Sequence, residues 1–228
     1  MNELREIATG LKFPEGPIAM PNGDVVLVEI ARGTLSRVRP NGSIEIVAKT
    51  GGGPNGAAIG PDGACYVCNN GGFRWHIKGD KYLPGYQDET YSGGRIERVD
   101  METGEVDVLY TESDGIPLRG PNDIVFDKEG GFWFTDHGKI RRRDEDRTGV
   151  YYAKPDGSFI TEAIFPIDGP NGIGLSADEK TLYIAETHAG RCWSYEIAEP
   201  GKIVRGKGEA PWEPGKLLLG VSDYRFFD

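Results

Sequence analysis

Four residues with oxygen-bearing side chains, each after a proline and before a glycine or aspartate, begin short apolar stretches of the sequence. They are Glu15, Asn55, Asn122 and Asn171, and we call them the anchors. Taken singly, an Asn before a Gly is ordinary turn chemistry. Taken together, carboxylate and amide oxygens without a histidine form a donor set that suits Ca²⁺, Mg²⁺ or Mn²⁺ better than zinc or copper. If the anchors meet in space, they predict a site for a hard cation.

The anchors recur in a fixed register, which indicates an internal repeat. Seven residues beyond each anchor lies a turn, at Asn22-Gly23, Asp62-Gly63, Glu129-Gly130 and Asp178-Glu179. A short apolar stretch between anchor and turn predicts a first strand, and a stretch rich in β-branched and aromatic residues predicts a second. The predicted first strands are Pro17–Met20, Ala57–Gly60, Ile124–Asp127 and Ile173–Ser176; the second strands are Val25–Glu29, Ala64–Asn69, Phe132–Asp136 and Leu182–Glu186.

Third and fourth strands complete each repeat. Thr34–Val38 is an example of a third strand, Ile44–Ala48 and Val106–Tyr110 are examples of fourth strands, and no helical period occurs in the sequence. Four strands per repeat are typical of a β-propeller blade rather than a sandwich or a solenoid. The sequence therefore predicts an all-β, single-domain propeller over residues 1–228. Because first strands line the central channel of a propeller, the four anchors should converge at one end of it.

The two ends of the chain fit the same pattern. Leu4–Thr9 and Leu217–Leu219 are each predicted to be a fourth strand, and Asp228 falls at a fifth anchor position. The chain then contains four full repeats and the opening of another blade, about four and a half blades. On this interpretation the sequence is a C-terminally truncated propeller, since an open arc would expose strand edges and the core between blades.

Composition excludes some partners. The chain carries 36 acidic and 26 basic residues, a net charge of −10, which is the wrong sign for binding nucleic acid. No apolar run approaches the roughly 20 residues that span a bilayer, and the first residues lack the pattern of a secretory signal. We therefore expect a cytoplasmic protein that binds neither nucleic acid nor membrane.

Several motifs resemble the SMP-30/gluconolactonase/LRE family of six-bladed propellers over essentially the whole chain. They are Phe13-Pro14-Glu15-Gly16-Pro17, Gly120-Pro121-Asn122-Asp123 with Phe134-Thr135-Asp136, Gly169-Pro170-Asn171-Gly172 and Phe227-Asp228. The resemblance implies a divalent metal held by Glu15, Asn122, Asn171 and Asp228, most simply Ca²⁺, with Mg²⁺, Mn²⁺ or Zn²⁺ as alternatives. The match at Asp228 lacks the residues that would follow it. Asn55 has no ligand role in the family pattern and is expected beside the metal ligands or against substrate.

Loops that join second to third strands should open on the same face as the anchors. The longest, residues 71–93, is rich in aromatic residues and is expected either to cover the site or to pack on itself; residues 137–149 form the next. Arg119, Asn55, Asn122 and His137 are the candidate substrate-binding residues. A surface role for Arg119 and ordinary loop packing for His137 are the alternatives.

The resemblance implies a metal-dependent hydrolase of a small, sugar-type lactone. The metal would polarise the ring carbonyl while a carboxylate activates water, with Asp228 as the first candidate base and Asp136 as the second. Two alternatives stay open: an organophosphate-type esterase that uses the same metal site, and a non-catalytic propeller that binds a ligand.

Overall fold

The computed structural model describes residues 4–204 and 215–221, and every regular element in them is a β-strand. The first repeat forms one antiparallel sheet of β1 (Pro14–Ala19), β2 (Val25–Glu29), β3 (Thr34–Val38) and β4 (Ile44–Lys49). The second contains β5 (Pro54–Ile59), β6 (Cys65–Asn69), a hairpin of β7 (Trp75–Lys78) and β8 (Lys81–Pro84), then β9 (Arg95–Val99) and β10 (Val106–Tyr110). Its sheet has the order β5-β6-β9-β10, so the hairpin is an insertion between its second and third strands.

The third and fourth repeats follow the same plan. A small hairpin of β11 (Glu112–Ser113) and β12 (Ile116–Pro117) precedes the third sheet, which contains β13 (Pro121–Phe126), β14 (Phe132–Asp136), β15 (Thr148–Ala153) and β16 (Ile160–Ile167). The fourth contains β17 (Pro170–Leu175), β18 (Thr181–Glu186) and β19 (Arg191–Glu199), with β20 (Lys202–Ile203) and β21 (Lys216–Gly220) both paired to β19. The predicted fourth strand Leu217–Leu219 is confirmed within β21.

All four predicted turns between first and second strands are present. In each, a backbone N–H donates to the carbonyl three residues earlier, as Gly23 does to Met20 and Glu179 to Ser176. Gly23, Gly63 and Gly130 adopt φ angles of 80–86°, the left-handed region that glycine enters without steric cost. Glu179 holds the same conformation with φ 56° in the fourth repeat.

The hydrophobic core lies between neighbouring sheets. Val26 and Val28 of the first sheet pack with Val67 of the second, and Tyr66 of the second packs with Phe132 of the third, their ring centroids 5.8 Å apart. Trp133 of the third sheet shares a cluster with Leu182 and Tyr195 of the fourth. Each side chain of this kind contributes roughly 1.5–3 kcal/mol when fully buried. Face-to-face packing of successive sheets is the architecture of a β-propeller, as the repeat predicts.

Two expectations at the chain ends have different outcomes. The prediction of a strand at Leu4–Thr9 is wrong: the segment has no regular secondary structure, and no strand among the described residues pairs with it. Leu4 is fully exposed, so the segment lacks the packing that would hold it as a strand. Asp228 lies outside the described residues. No helix of sufficient length and apolarity to cross a membrane exists in the part of the chain that the structure describes.

Candidate metal and active site

The first strands meet backbone to backbone at the centre of the arc. β1 contacts β5, β5 contacts β13, and β13 contacts β17. A Cβ atom on Gly56 would lie only 2.3 Å from the carbonyl oxygen of Asn122, and one on Gly16 only 2.7 Å from the amide nitrogen of Ala57. At positions 16 and 56 glycine is therefore required, because a neighbouring main chain occupies the space that a side chain needs.

Every first strand is bulged at its anchor. Each anchor is the second residue of its strand, and the pairing register with the second strand shifts between the residues around it, as between Glu15 and Ile18 in β1. The strands thus begin at the prolines, three residues earlier than the sequence predicts. A bulge changes the direction in which a side chain points and is common next to functional sites. The sequence pattern located the anchors and contained no sign of the bulges.

Three of the four anchors share one cavity. Glu15, Asn55 and Asn122 line a space of about 240 Å³ together with Gly16, Pro17, Gly56 and Asp123. The Nδ2 atom of Asn55 lies 3.4 Å from the carbonyl oxygen of Asn122, which links the second and third repeats. The structure therefore brings these anchors together, although many residues separate them in sequence.

Asn171, the fourth anchor, lies on the adjacent first strand, and its side-chain amide is fixed in orientation. Nδ2 donates to the Thr187 hydroxyl at 2.8 Å. The main-chain carbonyl of Asn171 accepts from the Thr135 hydroxyl at 2.6 Å. Its Oδ1 atom is buried and finds no hydrogen-bond partner among the described residues. A buried polar atom without a partner costs roughly 1–3 kcal/mol, so this oxygen is suited to a ligand that supplies the missing interaction.

Asp123 is a cavity residue that the sequence reasoning missed. It occupies the position after the anchor, where the other repeats have Gly16, Gly56 and Gly172. One carboxylate oxygen accepts from its neighbour Ile124 and the other accepts from the N–H of Ile173 in β17 at 3.0 Å. Asp123 thus joins the third and fourth repeats beside the site. An acidic residue at a glycine position of the repeat was the available signal.

The last residue of each second strand holds the backbone that leads into the anchor. These residues, Glu29, Asn69, Asp136 and Glu186, are buried and accept from N–H groups of the segments 10–13, 51–53, 118–120 and 167–169, which we call the approach segments. The backbone N–H of Lys12 donates to the Glu29 carboxylate at 2.7 Å, and the backbone N–H of Asp168 donates to the Glu186 carboxylate at 2.9 Å. The same hydrogen bond, from a backbone N–H of the approach segment to the side chain at the end of the second strand, is therefore present in all four repeats.

This arrangement favours a positioning role for Asp136 over the predicted role as a base. Its carboxylate is fully buried and accepts three backbone hydrogen bonds, from Arg119 and Gly120 at 2.7 Å and from Gly138 at 2.9 Å. Burial raises the pKa of Asp136, and these hydrogen bonds oppose the rise. The geometry supports a residue that positions Asn122 through the approach segment and offers no support for a base that contacts water.

His137 lies beside the fourth repeat rather than in the cavity. Its ring meets that of His188 edge to face at 4.8 Å between centroids, and its Nδ1 atom is buried without a partner in the described part of the chain. Burial, assisted by the neighbouring His188 ring, lowers the pKa of His137 to about 4. The imidazole is therefore neutral near pH 7. The predicted contact of His137 with substrate stays a prediction.

Residues 71–93, which we call the cap, lie against the approach segments. The cap contains the β7–β8 hairpin and packs on the first repeat through the rings of Phe13 and Trp75, 5.2 Å apart. At its other end the Tyr91 hydroxyl donates to the Arg119 carbonyl at 2.7 Å. The Arg119 side chain is exposed next to this contact. The cap therefore lies on the anchor face, as the loop positions predict.

Lys139, in the third repeat, holds the start of the cap. It is 1% exposed, and its ammonium group donates to Asn70 Oδ1 and to the Gly72 carbonyl, both at 2.9 Å, and lies 4.0 Å from the centre of the Phe73 ring. Burial lowers the pKa of Lys139 to about 7, against the opposing effect of Asp136 and Asp146. Sequence reasoning had no basis for selecting Lys139, because its partners lie in another repeat.

The donor chemistry fits a hard cation. The described anchors offer one carboxylate and several amide oxygens, including the unpartnered Oδ1 of Asn171. No group of three or more His, Cys, Asp or Glu residues that could hold a metal occurs within residues 4–204 and 215–221. A site built here would therefore depend on asparagine oxygens, which calcium accepts readily and zinc rarely uses.

An all-β propeller whose first strands place side-chain oxygens in and beside a central cavity is thus the class that fold and site define. Residues 13–213 match the family described as the SMP-30/Gluconolactonase/LRE-like region. The chain belongs to this family, as the sequence motifs indicate.

Individual relatives agree with this assignment. The chain is 32% identical over 185 residues to a protein named lactonase drp35 from Staphylococcus saprophyticus, covering 80% of this chain and 50% of that protein. It is 26% identical over 222 residues to a gluconolactonase from Zymomonas mobilis, covering 87% and 56%. The solved structure of a gluconolactonase from Xanthomonas campestris has the same fold, with a TM-score of 0.66, 22% identity and coverage of 85% and 61%. The chain spans about half the length of the curated relatives it matches.

Proposed function

We propose that the chain forms part of a divalent-metal-dependent hydrolase that opens small, sugar-type lactones, with Ca²⁺ as the preferred metal. The names of the relatives support the lactone as the substrate class. The main support for a bound metal is the buried Oδ1 atom of Asn171, which has no hydrogen-bond partner among the described residues and lies on the strand next to the cavity of Glu15 and Asn122.

Glu15, Asn122 and Asn171 are the residues that would hold the cation, with Asp228 as a fourth ligand that stays a prediction. When bound, a cation of this kind polarises a carbonyl group and stabilises the negative charge that develops on its oxygen. The Thr187 hydroxyl keeps the Asn171 amide turned so that its nitrogen is occupied and its oxygen is available. The protein thus positions neutral oxygens before any metal arrives.

The remaining residues bind and orient the substrate. In the proposed reaction, water adds to the lactone carbonyl carbon, the ring C–O bond breaks, and a hydroxy acid results. Asn55 in the cavity wall and the exposed guanidinium of Arg119 supply directional hydrogen bonds for hydroxyl groups of the substrate. Asp228 is retained as the proposed base that takes the proton of the water, and Asp136 is assigned to holding the 118–120 backbone.

A hydrolysis assay tests this proposal. Gluconolactone and a simple alkyl lactone would be incubated with the protein in the presence of Ca²⁺, Mg²⁺, Mn²⁺ or Zn²⁺ and in EDTA, and acid release would be followed at constant pH. We expect turnover that EDTA abolishes and Ca²⁺ restores, and none from Asn171→Ala. The proposal is contradicted if turnover persists in EDTA. It is also contradicted if the protein hydrolyses a phosphotriester but no lactone, or if it binds the metal but hydrolyses nothing.

A further inference from the structure

Phe13 adopts a backbone conformation that bulky residues avoid. Its φ angle is 55°, almost the 54° of Gly169, which holds the equivalent position in the fourth repeat. In this left-handed region the Cβ atom crowds the following carbonyl group, at a cost of roughly 1–3 kcal/mol. Such an outlier persists only where surrounding structure holds it, and outliers of this kind cluster at functional sites.

The other repeats have no room for a side chain here. The position before each anchor's proline is glycine in the second, third and fourth repeats. A Cβ atom would lie 2.4 Å from Asn70 Oδ1 at Gly53 and 2.5 Å from the Gly138 carbonyl oxygen at Gly120. Only the first repeat accommodates a ring, and that ring is placed against the cap.

The contact of Phe13 with the cap is part of a continuous aromatic cluster. Trp75 lies 5.2 Å from Phe13, 5.9 Å from Phe73 and 6.1 Å from Tyr82, measured between ring centroids. The Lys12 ammonium lies 5.9 Å from the centre of the Tyr82 ring. Phe13, Phe73 and Trp75 are each only partly buried, so part of the cluster remains exposed.

The cap bridges two anchors. One end contacts Phe13, two residues before Glu15, and the other contacts the Arg119 carbonyl, three residues before Asn122. On the third-repeat side Lys139 holds the start of the cap by hydrogen bonds to Asn70, the residue before it, and to Gly72 within it. On the first-repeat side the contacts are the Phe13–Trp75 ring pair and the Lys12 amine over Tyr82. Loss of the Phe13 ring therefore removes the main apolar contact of the cap on that side.

We propose, on the basis of the lactone hydrolysis proposed above, that Phe13 and Trp75 determine substrate specificity. Their contact holds the cap over the anchors, and their open ring surfaces receive the apolar face of the lactone while the anchors receive its polar groups. Aromatic rings pack against the C–H face of a ring compound without requiring particular hydroxyl groups. The contribution is to binding, and the reacting atoms are handled elsewhere.

Two substitutions at Phe13 separate the ring from the backbone. Phe13→Gly removes the ring and also relieves the unfavourable φ angle, so it should fold normally; Phe13→Tyr keeps the ring. Trp75→Leu removes the ring that Phe13 contacts, and it replaces Phe13→Gly as the test variant if Phe13→Gly proves unstable. Leu83→Ala, an exposed residue in the cap without a ring contact, is the matched control.

Two measurements test the proposal. Trypsin cleavage after Arg74, Lys78 or Lys81, mapped by mass spectrometry, reports on the cap without any need for activity. We expect cleavage about tenfold faster in Phe13→Gly and Trp75→Leu, the change that corresponds to about 1.4 kcal/mol, and parental rates in Phe13→Tyr and Leu83→Ala. For lactone hydrolysis we expect KM to rise about tenfold with kcat little changed.

The outcomes are distinguishable. Unchanged cleavage in Phe13→Gly and Trp75→Leu overturns the role in holding the cap, whatever the activity. Unchanged KM, or a fall in kcat alone, overturns the specificity role. If the parent hydrolyses no lactone, the proposed function fails and the specificity assignment fails with it, whereas the cleavage data still decide whether Phe13 holds the cap.

Discussion

Asn171 is held at one end of its amide group and open at the other. Its nitrogen donates to Thr187, and its oxygen is buried without a partner in the described chain. We expect Asn171→Ala to weaken Ca²⁺ binding more than 100-fold, because a ligand is lost. Thr187→Val should weaken it about 10–100-fold, the usual effect of removing a group that orients a ligand. Calorimetric titration with Ca²⁺ measures both.

Asn55→Ala is the matched control for that titration. It lines the same cavity but has no assigned ligand role, and we expect its Ca²⁺ affinity to stay near that of the parent. Parental affinity in Asn171→Ala would show that the ring of anchors does not hold the metal.

His137 should make the protein less stable in acid. Its pKa is lowered from 6.5 to about 4 by burial, so the unfolded chain takes up a proton between these values while the folded chain does not. Stability therefore falls as pH falls from 6.5 to 4, by about 2 kcal/mol between pH 7 and pH 5. Urea unfolding at pH 7, 6 and 5 measures the free energy of unfolding.

The comparison variants for this effect are His137→Gln and His76→Gln. His137→Gln should lose most of the pH dependence, whereas His76→Gln, at an exposed site in the cap, should keep it. An identical pH slope in His137→Gln and the parent would assign the acid sensitivity to other groups.

At the scale of elements, the first strands approach one another so closely that one added methyl group should disturb the site. A Cβ atom on Gly56 would meet backbone atoms of Asn122 and Asp123 at 2.3 and 2.7 Å, which cannot rotate away. We expect Gly56→Ala to destabilise the fold by about 3 kcal/mol and to weaken metal binding by displacing Asn122. Urea unfolding and calorimetry provide the two readouts.

Gly174→Ala is the control for that substitution. Gly174 lies in β17, another first strand, and a Cβ atom added there would have no other atom within 4 Å. Alanine there should be neutral or stabilising by up to about 1 kcal/mol. Equal destabilisation by the two substitutions would mean that glycine is needed for strand geometry in general rather than for close approach.

The strands were predictable because local patterns determine them. Alternating apolar residues and glycine turns located β2, β3, β10 and β14 to the residue, and the other strands with predicted bounds to within a few residues. The bulges at the anchors were not predictable, because the residue pattern does not mark where the register between first and second strands shifts. The role of Asp136 was also missed, since its partners at 119 and 120 become apparent only when the strand pairing is known.

The alignment of the repeats marks two further positions. Asp123 and Phe13 both occupy positions where the other repeats have glycine, and both form contacts between repeats. Lys139 had no such signal. It became visible only through its burial and its contacts with Asn70 and Gly72.

At the scale of the whole molecule, the proposed metal ligands come from the first, third and fourth sheets. A bound cation would therefore connect the first blade with the third and fourth and stabilise the folded state by mass action. With Ca²⁺ at 100 times its Kd the gain is about 2.7 kcal/mol, which raises Tm by about 5–10 °C for a chain of this size. Thermal unfolding in Ca²⁺ and in EDTA measures the shift.

The controls for this shift address the charge of the protein. A chain with net charge −10 gains some stability from any cation, so NaCl of equal ionic strength must be compared. Asn171→Ala should show no shift beyond that of NaCl. A Tm that rises equally in the parent and in Asn171→Ala would point to general screening of charge.

The acceptors at the ends of the second strands hold the approach segment of each repeat from within that repeat. Glu29, Asn69, Asp136 and Glu186 each fix an approach segment within their own sheet. The backbone that presents an anchor is consequently independent of which anchor it presents. A single substitution at one anchor can therefore change the number and charge of the oxygen donors around the channel while the hydrogen bonds that hold the approach segment stay intact. A fold organised in this way can exchange one bound cation or substrate for another through stepwise substitution, which makes the four anchors the natural positions for redesign.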